Sequence, residues 1–293
     1  MSYLARRSVG RRLRVLREEA GVRQGIAASA AEVSQSVIVR MERGLPTRVG
    51  TIHIKALLDR YGVGDEEQRE SILAVVQLVR QARKARPRWW DAFAASLSPE
   101  EIERIELETE ARSMSLCGAT LVPELLRTAD YQRATARALY PQDTVADIAR
   151  RAEITEHRWK SLRDNDTRLE VYLLESALRQ PLGGSEVMAD QLTYLAELGE
   201  LPNISIRIVG PEAGSHIGLH LGNLVLVEFD ALLSGGQPEP PIVFLPGLPQ
   251  DLCLDQDGQA DRYRDAVAGL SRIALPQDTS RTRIREIASD YQT

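Results

Sequence analysis

Residues 8–64 are punctuated too closely for long elements. Apolar residues recur there at helical spacing in segments of roughly ten residues, each opened or closed by a capping residue. Val9, Leu13, Leu16 and Ala20 mark a first helix over 8–20, ended by Gly21. Residues 23–30 form a short second helix, weakened by Gly25. Ser34 is the expected N-cap of a third helix, 35–43, which Gly44 terminates. A fourth, over 49–61, uses Ile52, Leu57, Leu58 and Tyr61, and Gly62 and Gly64 close the unit. Such short helices bury their apolar stripes against one another, so this head is expected to be all-α.

Charge divides the chain at the same place. The whole sequence of 293 residues carries a formal charge of -5, which by itself argues against a nucleic-acid partner. Residues 1–64 hold 12 basic and 5 acidic side chains, a balance of +7, and the remainder carries -12. A basic head on an acidic body is the pattern expected when only the head meets a polyanion. The acidic body repels a polyanion that the head does not hold.

Within the head, residues 23–44 carry the most chemistry. A short helix, a tight turn around Glu32 and Val33, and a second helix opening at Ser34 make a compact angled pair. The pair is expected to bury Ile26, Ala27, Ala30, Val33 and Val39 or Ile38. Its second helix then presents Gln35, Ser36 and Arg40 outward. Gln pairs bidentately with adenine, Arg with guanine, and Val37 suits a thymine methyl. Gln24 is placed for a phosphate or to buttress Gln35. Arg11, Arg12, Arg43 and Arg48 are candidates for backbone phosphates. The run RRLRVLREEAGVRQ…ASAAEVSQSVIVRMERG…LLDRYGV resembles the lambda-repressor-like, XRE-type helix-turn-helix over about residues 8–64. That resemblance implies binding of double-stranded DNA, as a homodimer whose recognition helices meet two half-sites. Gly25 departs from the pattern, since such helices usually carry Glu, Asp or Ala there.

The rest of the chain changes period. Residues 65–112 read as a charged helical linker or dimerisation region, with Ile72, Leu73, Val76 and Val79 as its stripe and Pro87 as a break. The acidic run from Glu100 to Glu110 reads as a solvated helix face. Residues 113–293 read as a mixed α/β domain. Strands are expected at 113–118, 169–175, 204–209, 222–229, 241–245 and 250–254. Helices are expected over 123–160 (broken near Pro141), 185–199 (capped by Ser185), about 258–274 and 279–290. The fold class is thus α+β: a helical head over 1–64, a helical linker and a body with a sheet of five to six strands. The segments LVPELLRTADY (121–131), RQPLGG (179–184) and LPNI (201–204) resemble the C-terminal domain of a large actinomycete regulator family. The stretches 214–222 and Tyr263-Arg264 do so too. That domain is often labelled antitoxin-like. The resemblance implies a transcription factor, often encoded beside a small partner protein.

The remaining residues point to no reaction. Cys117 and Cys253 read as buried free thiols of a cytoplasmic protein. No apolar run reaches membrane-spanning length. His216 and His220 are four apart, but Gly218 and Gly222 argue against a helix, and no third metal ligand is evident. Together with Trp89 and Trp90 they remain candidates for a ligand pocket, the tryptophans reading more readily as packing. No CxxC, GxSxG, phosphate-loop or GxGxxG pattern occurs, so no metal, cofactor or catalytic residue is expected. Three readings stand: a DNA-binding regulator whose body senses a small molecule or protein; an interaction protein that sequesters a small partner and autoregulates; and an enzyme built on the α/β body.

Overall fold

The computed structural model describes residues 3–82, 88–233, 238–247, 251–256 and 258–292. Helix α1 (Tyr3–Glu19) starts five residues before the sequence pattern suggests. Tyr3 and Leu4 are buried, and the Tyr3 N–H donates to Glu106 Oε2 at 3.2 Å. Two arginines separate these apolar residues from Val9, which hides the stripe in sequence. Helices α2 (Gln24–Ala30), α3 (Gln35–Glu42) and α4 (Thr51–Arg60) follow, each within two residues of its expected bounds. Helices α5 (Glu66–Ala82) and α6 (Pro99–Thr109) pack on α1. With the segment Asp230–Glu239 they complete the first of two compact units, Met1–Glu110 plus Asp230–Glu239. Val79's side chain, Pro87 and residues 234–237 of the expected loop lie outside the described residues.

The first core joins Leu13 and Leu16 of α1, Ala27 and Ala28 of α2, Ile38 and Met41 of α3, and Ile54, Leu57 and Leu58 of α4. Ile72 and Val75 of α5 complete it. Four expectations are corrected here. Ile26 is exposed and Ala30 only half-buried. Of the alternatives Val39 and Ile38, Ile38 fills the core between α2 and α3. Ile52 is 76% exposed, and Ile54 takes its place because it shares a face with Leu57 and Leu58. Finally, the acidic stripe of α6 is not wholly solvated. Glu106 and Glu108 are buried, held by Arg88 and by Arg104 respectively. Trp89 and Trp90 sit in a short 3-10 turn, edge-to-face at 5.4 Å, with Arg88 over Trp90.

The second unit, Ala111–Phe229 with Pro240–Thr293, carries one six-stranded sheet. Its strands are β1 (Ser113–Gly118), β2 (Arg168–Leu174), β3 (Ile204–Val209), β4 (Leu224–Glu228), β5 (Ile242–Leu245) and β6 (Leu252–Leu254). Their order is β3-β2-β1-β4-β5-β6. The pairs β1–β2 and β2–β3 are parallel, and β1–β4, β4–β5 and β5–β6 antiparallel. Parallel pairing needs helical crossovers. Helices α7 (Ala129–Leu139) and α8 (Val145–Asp164) supply the first, α9 (Glu175–Leu178) and α10 (Ser185–Leu198) the second. Gly184, with φ of 94°, is the N-cap of α10, and Ser185 is its first residue rather than its cap. A short helix α11 (Gly218–Leu221) precedes β4, and α12 (Asp261–Ile273) and α13 (Gln277–Asp290) end the chain. Val267 and Leu270 of α12 pack with Cys117, Tyr172, Leu226 and Val243 on one sheet face.

The outer edge of β3 is closed. The Leu275 N–H donates to the Ile208 carbonyl at 2.8 Å, and the Ile208 N–H donates to Ser280 Oγ at 3.0 Å. Arg207 adds bonds to the carbonyls of Ala274 and Leu275.

Candidate nucleic-acid interface

The geometry of α3 is set from beneath. At 100° per residue, Ile38, Met41 and Glu42 share one arc, and all three are buried. Ser36, Arg40, Arg43 and the half-buried Val39 fall on the opposite arc, and Gln35, which opens the first turn beside the buried arc, is exposed like Ser36, Arg40 and Arg43. The last residue of α3 is clamped by a buried ion pair. Arg17 of α1 donates to Glu42 through Nε at 2.6 Å and Nη2 at 3.1 Å, and through Nη1 to the Val22 carbonyl at 3.1 Å. Gln24, the first residue of α2, donates to Glu42 Oε2 at 3.0 Å. One carboxylate thus ties three helices, and bidentate pairing gives the clamp direction as well as strength. The bonds to Glu42 hold the Arg17 pKa above its ordinary value. Beside them Tyr61 is buried, and desolvation, then the charge of Glu42, pushes its hydroxyl to about 12.

The backbone approaches closely at two glycines. A Cβ added at Gly10 would stand 2.2 Å from the Met41 carbonyl oxygen. One added at Gly44, where φ is +71°, would stand 2.8 Å from the Cα of Arg7. The α2–α3 turn holds a third special position, Glu32, with φ of 53°.

The expected contact residues divide by what they touch. Gln35 is exposed, its amide oxygen near Gly25 and not buttressed by Gln24. Ser34 occupies the N-cap position, but its hydroxyl bonds Ser36 Oγ at 2.9 Å and caps no backbone N–H. Val37 is half-buried. Arg40 donates to the Pro46 carbonyl at 3.1 Å and meets no carboxylate among the described residues. Arg12, Arg43 and Arg48 likewise make no ion pair among the described residues, and all reach the surface. Arg11 differs: its Nη2 lies 2.9 Å from Glu239 Oε2. Sequence reasoning missed Arg23, Lys55 and Arg60, which are exposed and have no ion-pair partner among the described residues. The head's surplus of positive charge, once Arg17, Arg6 and Arg11 are paired, resides in this set.

In the second unit, His216 and His220 do not form a pair on one helix. His216 precedes α11 and His220 lies within it. His220 lines a surface cleft with Arg262, Tyr263 and Gln259, over Ile217, Leu221, Leu254 and Ala266. No cluster of metal-ligating side chains occurs among the described residues. Cys117 is buried, which pushes its thiol to about 12, whereas Cys253 is exposed, correcting the expectation of two buried thiols. Both are free. No helix among the described residues is long and apolar enough to cross a membrane.

Residues 8–71 match the model of a helix-turn-helix domain. That match supports a DNA-binding regulator. No curated protein and no solved structure matches the chain. A second model spans residues 103–286, more than half of the sequence, and on that match the chain belongs to the family described as domain of unknown function DUF5753.

Proposed function

We propose that the chain is a sequence-specific transcription regulator with an XRE-type head that binds duplex DNA as a homodimer, and that its second unit senses a small molecule or a small partner protein. One observation carries the reading. The exposed arc of α3 bears Gln35, Ser36, Arg40 and Arg43, held rigidly from below by the Arg17–Glu42–Gln24 clamp. Gln and Arg on such an arc have the donor and acceptor pattern that reads base edges. Arg12, Arg23, Arg48, Lys55 and Arg60 reach the surface of the same unit with charge that no carboxylate among the described residues neutralises, and backbone phosphates are the natural counter-ions.

A dimer follows from size. A single small head buries too little DNA surface for nanomolar specificity, and two heads about one helical turn (~34 Å) apart meet a palindromic site. The cleft with His220, Arg262 and Tyr263 over an apolar floor supports a sensing role, since mixed lining of this kind suits small ligands. A ligand there alters DNA binding only if it favours one arrangement of the chain over another.

Mapping of bound sites across the native genome identifies the operator. On that operator, the full-length Q35A/R40A variant is expected to lose about 1–3 kcal/mol of discrimination per contact while its circular dichroism is unchanged. A folded variant that still separates operator from random duplex like the wild type overturns the groove assignment.

A further inference from the structure

Glu239 is a buried carboxylate that meets the basic α1 helix of the first unit. It is 4% exposed and belongs to a segment, Asp230–Glu239, that leaves β4 and leads into β5. Pro238, Pro240 and Pro241 flank it and fix φ on both sides, so the chain there is stiff. Its Oε1 accepts from Ser8 Oγ at 2.6 Å, and its Oε2 from Arg11 Nη2 at 2.9 Å. Ser8 is fully buried in α1. The Arg11 side chain, by contrast, is 30% exposed, and its buried Nε has no acceptor among the described residues. The guanidinium is therefore held by one carboxylate oxygen, not gripped bidentately, and keeps an edge toward solvent. Next to it in sequence, Arg12 has no ion partner among the described residues.

We propose that Glu239 is an internal counter-ion that silences Arg11: while it is seated, Arg11 is withheld from DNA, and its withdrawal hands Arg11 to a backbone phosphate. Glu239 stands three residues before Ile242, the start of β5. A stiff prolyl segment transmits a displacement of that strand to the carboxylate instead of absorbing it. Any event that shifts β5 thus changes the effective charge of the head by one. This inference rests on the DNA-binding reading.

The test compares four full-length chains: wild type, E239Q, R11Q and E239Q/R11Q. Each is titrated with a labelled duplex carrying the operator, across a range of salt concentrations. E239Q is nearly isosteric, and thermal melting checks its fold. The expected result is binding roughly fivefold tighter near 0.1 M salt, with the slope of log K against log salt steeper by about 0.9, the signature of one added phosphate contact. R11Q alone changes little, and R11Q in the E239Q background abolishes the gain. Ser8→Ala removes one anchor of the carboxylate and leaves both charges, so it shifts affinity in the same direction by less. Equal affinity and slope in wild type and E239Q overturn the proposal. A gain that survives R11Q overturns it too, since the effect is then only overall charge. Should neither wild type nor E239Q bind any duplex, the DNA-binding reading itself falls, and the proposal with it.

Discussion

Glu32 adopts a left-handed backbone that side chains other than glycine rarely take, with φ of 53° between α2 and α3. That conformation costs an L-residue about 1–2 kcal/mol, while glycine costs about 0.5–1 kcal/mol in lost chain entropy. Glu32→Gly is therefore expected to stabilise the first unit by up to about 1 kcal/mol, read as a rise in thermal midpoint. A fall would show that the glutamate side chain contributes more than its backbone strain costs. Sequence placed a turn around Glu32 and Val33, ahead of the helix that opens at Ser34, but no local signal carries the sign of φ. The same limit hid the Glu42 clamp. Its partners Arg17 and Gln24 lie 25 and 18 positions away; Arg17 reads alone as an ordinary surface residue, and Gln24 as a phosphate contact or a buttress for Gln35. A faint clue was present, since Arg17 follows Leu13 and Leu16 on the buried side of α1. The candidate contacts Gln35, Ser36, Arg40 and Arg43 were legible because exposure on a short helix follows directly from its period.

Among elements, α1 and α3 meet more closely than side chains allow. Gly10 faces the Met41 carbonyl and Gly44 faces Arg7, so the two helices are in backbone contact at both places. Gly10→Ala must push α1 away from α3 and uncover part of the core formed by Leu13, Ile38 and Met41. The expected cost is that of overpacking, about 1–3 kcal/mol, measurable by urea denaturation of the full chain. An unchanged midpoint would mean that α1 moves freely on α3. Helix and strand positions were largely readable, because amphipathic stripes and the β-branched alternation of 204–209 are strong local signals. The sheet order was not. That β4 lies beside β1 depends on pairing across more than a hundred residues, such as Leu116 with Val225. The break read near Pro141 within 123–160 is present, with α7 and α8 on either side of it, capped by Thr128 and Thr144.

For the whole molecule, burial raises a neutral acid in each unit, and both shifts bear on alkaline stability. Tyr61 in the first unit and Cys117 in the second are raised to about 12 by burial. A raised value in the folded chain means that the neutral form is favoured there. Stability from the thiol is complete below its ordinary value of 9.0 and from the phenol below 10.0, and each is lost as pH climbs toward about 12. Thermal midpoints measured from pH 8 to 11 are expected to fall in both units. Cys117→Ala is expected to flatten the alkaline slope of the second unit's transition and leave the Tyr61-linked loss in the first. A slope that Cys117→Ala leaves unaltered would assign the alkaline loss to other groups. The charge division between head and body was visible in sequence, whereas the joining of Asp230–Glu239 to the first unit was not, since a loop's partner leaves no periodic mark. The sealing of β3 by Leu275 and Ser280 has a consequence for how the chain tolerates loss of its tail. A strand whose outer amides are left unmatched is a template for stacking with other molecules. Proteolytic clipping after Ile273 would strip that seal, so residues 274–293 act as a guard against fibrous self-assembly.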